Sequence, residues 1–135
     1  MSHTITPKDV NKRILLITLS DPYDFRTEST KIMDELHGIL GNITDIVYVI
    51  YDVTKLSISF SDIIDGVSSG FARPRNDADK QLNKYSRMIL VGASTLITVG
   101  AKTAARFSPE RPFPVFKTVE EALDYVQTDL AKQQH

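Results

Sequence analysis

Two short, almost unbroken apolar runs do most to limit the folds open to this chain. They are Ile14-Leu-Leu-Ile-Thr-Leu19 and Ile46-Val-Tyr-Val-Ile-Tyr51. Both are rich in β-branched or aromatic residues and are bounded by turn-forming ones. A strand with one wet face alternates apolar and polar residues, whereas a strand covered on both faces reads as a continuous run. Met88-Ile-Leu-Val91, closed by Gly92, is a third such run. Val115-Phe116, preceded by Pro112 and Pro114, is a fourth, and the prolines place it at a sheet edge.

Helical patterns separate these runs. Phe25, Ile32, Met33, Leu36, Ile39 and Leu40 form a stripe at helical spacing, with Asp24 as a cap and Gly41 where a terminal glycine belongs. Phe60, Ile63, Ile64, Val67 and Phe71 predict a second helix, and Leu96, Ala101, Ala104, Ala105 and Phe107 a third. Val119, Ala122, Leu123, Val126 and Leu130 predict the last, opened by the capping box Thr118-Val-Glu-Glu121. Ala72 to Lys84, rich in charged and amide residues, reads as an exposed connection with at most one helical turn. Strand–helix alternation implies a mostly parallel sheet with right-handed crossovers. Thr4 to Thr6 add an N-terminal strand that returns through Asp9–Lys12. The expectation is one α/β domain over 1–135, with its core at about 13–130 and a frayed tail at 131–135. It has a single mixed sheet of four or five strands and about four helices.

The 135 residues suit one domain, and 41% hydrophobic with 24% charged residues suits a packed core. Lys and Arg number 16 against 17 Asp and Glu, so there is no general attraction to nucleic acid or to anionic membrane. With no cysteine, disulfides, thiolate catalysis and Cys-based zinc sites are excluded. The N-terminal residues show no secretory signal and no run approaches membrane-spanning length, which gives an expected cytoplasmic location.

Open α/β sheets place ligands beyond the carboxyl ends of their strands. Asp21, Asp24, Asp52, Thr54, Ser94, Thr95, Lys117 and Thr118 fall there, although the same residue types cap helices and shape turns. A carboxylate, a hydroxyl and an ammonium after successive strands are similar to a phospho-receiver domain. There an Asp accepts phosphate, further acids hold a magnesium ion, and the hydroxyl and ammonium sense the phosphoryl oxygens; Asp21, Asp52, Thr95 and Lys117 would take those parts. Against that, the acidic pair after the first strand is incomplete, and Thr118 follows the lysine where receivers carry proline. No phosphate-cradling glycine motif occurs, and Gly92-Ala-Ser-Thr95 serves equally as a plain turn. His3, His37 and His135 show no metal-ligand spacing, and His37 is expected to face solvent. Phe71-Ala-Arg-Pro-Arg75 could touch a membrane surface or an acidic partner, but Asp77 and Asp79 offset its charge.

Val47-Tyr-Val-Ile-Tyr-Asp52, Met88-Ile-Leu-Val-Gly92 and Phe116-Lys-Thr-Val-Glu-Glu-Ala-Leu-Asp-Tyr125, in that order, resemble the STAS-like proteins related to the anti-sigma-factor antagonist SpoIIAA. The resemblance spans roughly residues 13 to 130 and rests on pattern and order rather than a diagnostic motif. It implies a mixed sheet, and binding rather than turnover. In that group a kinase phosphorylates a serine within an Asp-Ser-Ser/Thr-Gly stretch at a helix start. Here the region reads Lys55-Leu-Ser-Ile-Ser-Phe-Ser61, without the aspartate and glycine. Ser57, Ser59 and Ser61 are the candidate acceptors, and phosphate at a helix N-terminus is electrostatically favourable.

The expected function is therefore a non-enzymatic binding or regulatory module with no cofactor. It would engage a protein partner or a small apolar or anionic ligand through Asp52, Thr54, Ser57, Ser59, Ser61, Phe71, Ser94 and Thr95. A receiver-like or other small enzyme using Asp21 and Asp52 is one alternative, and a self-associating structural domain is another.

Overall fold

The computed structural model describes residues 3–8, 13–21, 25–41, 45–55, 76–92 and 114–133. Its elements are β1 (His3–Pro7), β2 (Ile14–Ser20), α1 (Phe25–Leu40), β3 (Val47–Lys55), α2 (Asp77–Tyr85), β4 (Ser86–Val91), β5 (Val115–Phe116) and α3 (Val119–Gln133). The strands form one sheet in the order β1-β2-β3-β4-β5. β1 runs antiparallel to β2, and every other pairing is parallel. The near-continuous apolar runs are the central strands, as expected for strands covered on both faces.

The sheet winds in one direction only. Successive right-handed crossovers that all step the same way place their helices on the same face. The final helix joins no two strands and is free to cover the other. Side-chain packing agrees. Leu15, Ile17, Leu19, Val47, Val49 and Val53 meet Ile32 and Leu36 of α1 and Leu82 of α2. The alternate residues Ile14, Tyr48, Ile50, Ile89 and Val91 meet Ala122 and Val126 of α3. The period of two in a strand thus sorts two continuous runs into two separate cores.

Helix ends follow local chemistry. Gly41 takes φ +60, a left-handed conformation that suits glycine, and its N–H donates to the His37 carbonyl at 2.9 Å. At the start of α3, the Glu121 N–H donates to Thr118 Oγ1 at 3.2 Å. The Glu121 carboxylate accepts from the Lys117 N–H at 3.4 Å, one residue before the position that a standard box would use.

Both sheet edges are blunted. The Lys8 N–H donates to the Ile14 carbonyl at 2.8 Å. With the observed register, Thr6/Leu16 and Thr4/Thr18 are then also bonded pairs, so the Pro7 nitrogen points outward. A proline there removes an edge donor at no cost to the ladder. At the far edge, β5 has only two residues.

The structure corrects two expectations. The segment read as an exposed connection contains the nine-residue helix α2. In its sequence, Asp77-Ala-Asp-Lys-Gln-Leu-Asn-Lys-Tyr85, the apolar residues Ala78, Leu82 and Tyr85 stand at helical spacing, but the six polar residues around them make the composition read as a connection. The cap Asn76, whose side chain accepts from the Asp79 N–H, was a second available signal. The tail expected to fray from residue 131 is helical through Gln133. The expected helices over 60–71 and 96–107 lie outside the described residues.

Candidate functional site

Asp52 and Thr54 sit near the carboxyl end of the central strand β3, where α/β sheets commonly bind ligands. Thr18 pairs with Asp52 and Ser20 with Lys55, so β3 carries one extra residue there, a bulge. Asp52 Oδ1 accepts from the Thr54 N–H at 3.0 Å and from Thr54 Oγ1 at 2.7 Å. A side-chain oxygen bonding the backbone two residues ahead shapes the bulge from within. This pair of predicted residues is brought together, each partly engaged by the other. Asp21 lies just past β2 and is exposed, while Lys117 and Thr118 start α3 in capping roles. Asp24, Ser57, Ser59, Ser61, Phe71, Ser94 and Thr95 lie outside the described residues.

Two contacts were missed by sequence reasoning. His37, expected at the solvent face, places Nε2 2.7 Å from Asp79 Oδ1. The Asp79 side chain is 1% exposed and that of His37 24%. His3, read as a terminal residue, is buried, with Nε2 2.7 Å from Glu35 Oε2. One pair ties α1 to α2, and the other ties β1 to α1. The partners are 42 and 32 residues apart, so no local pattern could announce them.

On the opposite face, the Tyr48 hydroxyl donates to Asp129 Oδ2. Arg13 holds the strand entrance nearby: its Nε donates to the Ile46 carbonyl at 3.2 Å and its Nη2 lies 3.4 Å from Asp45 Oδ1. Burial, then the hydrogen bond to Asp129, pushes the Tyr48 phenol well above its ordinary range. Burial pushes Tyr51 up to about 12. A phenol whose folded pKa exceeds the unfolded 10.0 contributes stability that is fully present below pH 10 and is lost as pH rises towards 12. Denaturant unfolding at pH 8 to 12 is therefore expected to show a steep alkaline loss, and Tyr51→Phe to remove on the order of 2 kcal/mol of it. An unchanged alkaline slope in Tyr51→Phe would refute the assignment.

Among the described residues, no group of three or more His, Asp or Glu is placed to hold a metal ion. No described helix is long and apolar enough to cross a membrane.

No protein-family model matches the sequence, and no curated protein matches it. A solved structure does match. It is an uncharacterised protein of the DUF3478 family from Shewanella loihica PV-4, described as having a SpoIIAA-like fold. The TM-score is 0.56 at 20% identity, over 91% of this chain and 90% of that one. The chain has a SpoIIAA-like α/β fold, as the resemblance implied.

Proposed function

We propose that the protein is a non-catalytic, STAS-like binding module that engages a protein partner or a small ligand beside the β3 bulge. One observation carries this reading: the sheet winds in a single direction. In a doubly wound sheet the ligand crevice opens where the strand order reverses, and phospho-receiver domains are doubly wound. The order of the described strands has no reversal, which speaks against the receiver-like use of Asp21 and Asp52. The mutual bonds of Asp52 and Thr54 further support a shape-forming role. Blunted edges weigh against self-association through the sheet. Phosphorylation of Ser57, Ser59 or Ser61, which follow β3 in sequence, would add charge and provide regulation.

Intact-mass measurement of the purified protein, native and denatured, tests the proposal. A partner or ligand retained only under native conditions is the expected result, and a phosphate-sized increase that survives denaturation and maps to one of the three serines supports the switch. An acid-labile phosphate on Asp52 would overturn the proposal in favour of an acid-based acceptor.

A further inference from the structure

Helix α2 is anchored differently from the other two described helices. α1 and α3 each bury a stripe, Ile32 and Leu36 in one and Ala122 and Val126 in the other, with further apolar residues flanking it. The apolar residues of α2 are Ala78, which is exposed, Leu82, which is buried, and Tyr85, which is half-buried. At nine residues α2 is shorter than the ~12–15 that make even a favourable isolated helix marginal in water. Its order must come from docking. That docking includes Leu82 and the half-buried Tyr85, both packed on the core, and a buried carboxylate, Asp79, set 2.7 Å from the His37 imidazole on α1.

A buried polar contact adds little net stability over an apolar one, yet breaking it is costly because a buried polar group loses its partner in a poor solvent. The best-attested use of such a contact is to set register or to act as a switch. With Asp79 in the joint, partial separation is disfavoured, because it would strip the carboxylate of His37 before water could reach it. The joint therefore favours two arrangements, docked or fully open.

We infer that α2 is a latch, closed by Leu82 and the His37–Asp79 contact, that opens as a unit while the sheet stays folded. Opening uncovers His37 on α1 and frees the chain that enters β4. The inference rests on packing and does not depend on the proposed binding function.

Native-state amide hydrogen exchange on the full chain, repeated at low denaturant concentrations, tests it. Amides of residues 80–85 are expected to show protection about 100-fold lower than those of β3, with a weaker denaturant dependence, the mark of a sub-global opening. One shared exchange free energy and denaturant dependence for α2 and β3 would overturn it. In His37→Ala, α2 is expected to lose protection while β2 to β4 keep theirs. Loss of both together, or retained protection in α2, would count against the latch.

Discussion

Ile50→Ala is expected to destabilise the protein by about 4 kcal/mol and to lower its melting temperature by roughly 10 °C. Ile50 lies in the middle of the central strand, fully buried, opposite Leu16 on β2 and Ile89 on β4. Its side chain packs in the cluster that joins the sheet to Ala122 and Val126 of α3. Truncation removes buried methyl groups and leaves a cavity between covalently tethered layers that relax only partly. Ile50→Val, which removes a single methyl group, should cost about 1 kcal/mol. Equilibrium urea unfolding with an unchanged m-value reads both. Since a domain of this size is held by only about 5–15 kcal/mol, the alanine variant would lose a substantial share of the total. A loss below about 1 kcal/mol for Ile50→Ala would mean that α3 does not close over this face.

Tyr48 should give the second large effect, and its two parts can be separated. Tyr48→Phe removes the hydroxyl donated to Asp129 and is expected to cost about 1–2 kcal/mol, as for a partly buried hydrogen bond whose acceptor loses that donor. Tyr48→Ala also removes the ring, which is 1% exposed, and should cost about 4 kcal/mol. Asp129→Asn combined with Tyr48→Phe closes a double-mutant cycle, and a coupling of at least about 0.5 kcal/mol is expected for residues in contact. Additivity within error would show that the contact between β3 and α3 contributes only through ring burial.

The sequence revealed what is repetitive and local. The runs at Ile14–Leu19 and Ile46–Tyr51 show burial on both faces because every residue, not every second one, must be apolar. The stripe from Ile32 to Leu40 and the box at Thr118–Glu121 show helices because period and capping are read within a few residues. The strand Val115–Phe116 showed itself as an edge through Pro112 and Pro114 just before it, because proline cannot donate. The N-terminal strand was less marked: Thr4-Ile-Thr6 is too short to stand out, and its pairing with Thr18, Ile17 and Leu16 is set by the chain that follows.

What escaped the sequence is non-local. α2 carries its few apolar residues, Ala78, Leu82 and Tyr85, at helical spacing within a mostly polar segment whose composition reads as a connection, and its order depends on α1. His37 looked solvated because Gly38 and the helix end surround it in sequence, whereas its neighbour in space is Asp79. Asp79 looked like a counter-charge to Arg73 and Arg75, yet its carboxylate is buried. At the candidate site, Asp52 and Thr54 were identified by position at a strand end. Their mutual bonds and the bulge could not be foreseen, because a bulge exists only relative to the partner strand.

Titration of the purified protein with magnesium ions, in the presence of a small-molecule phosphodonor and followed through the backbone amide signals of Asp21, Asp52 and Thr54, tests the central claim most directly. A non-catalytic module on a sheet wound in one direction predicts no saturable shift and no phosphate on either aspartate. A saturable shift at Asp21 and Asp52, together with an acid-labile phosphate on one of them, would contradict it.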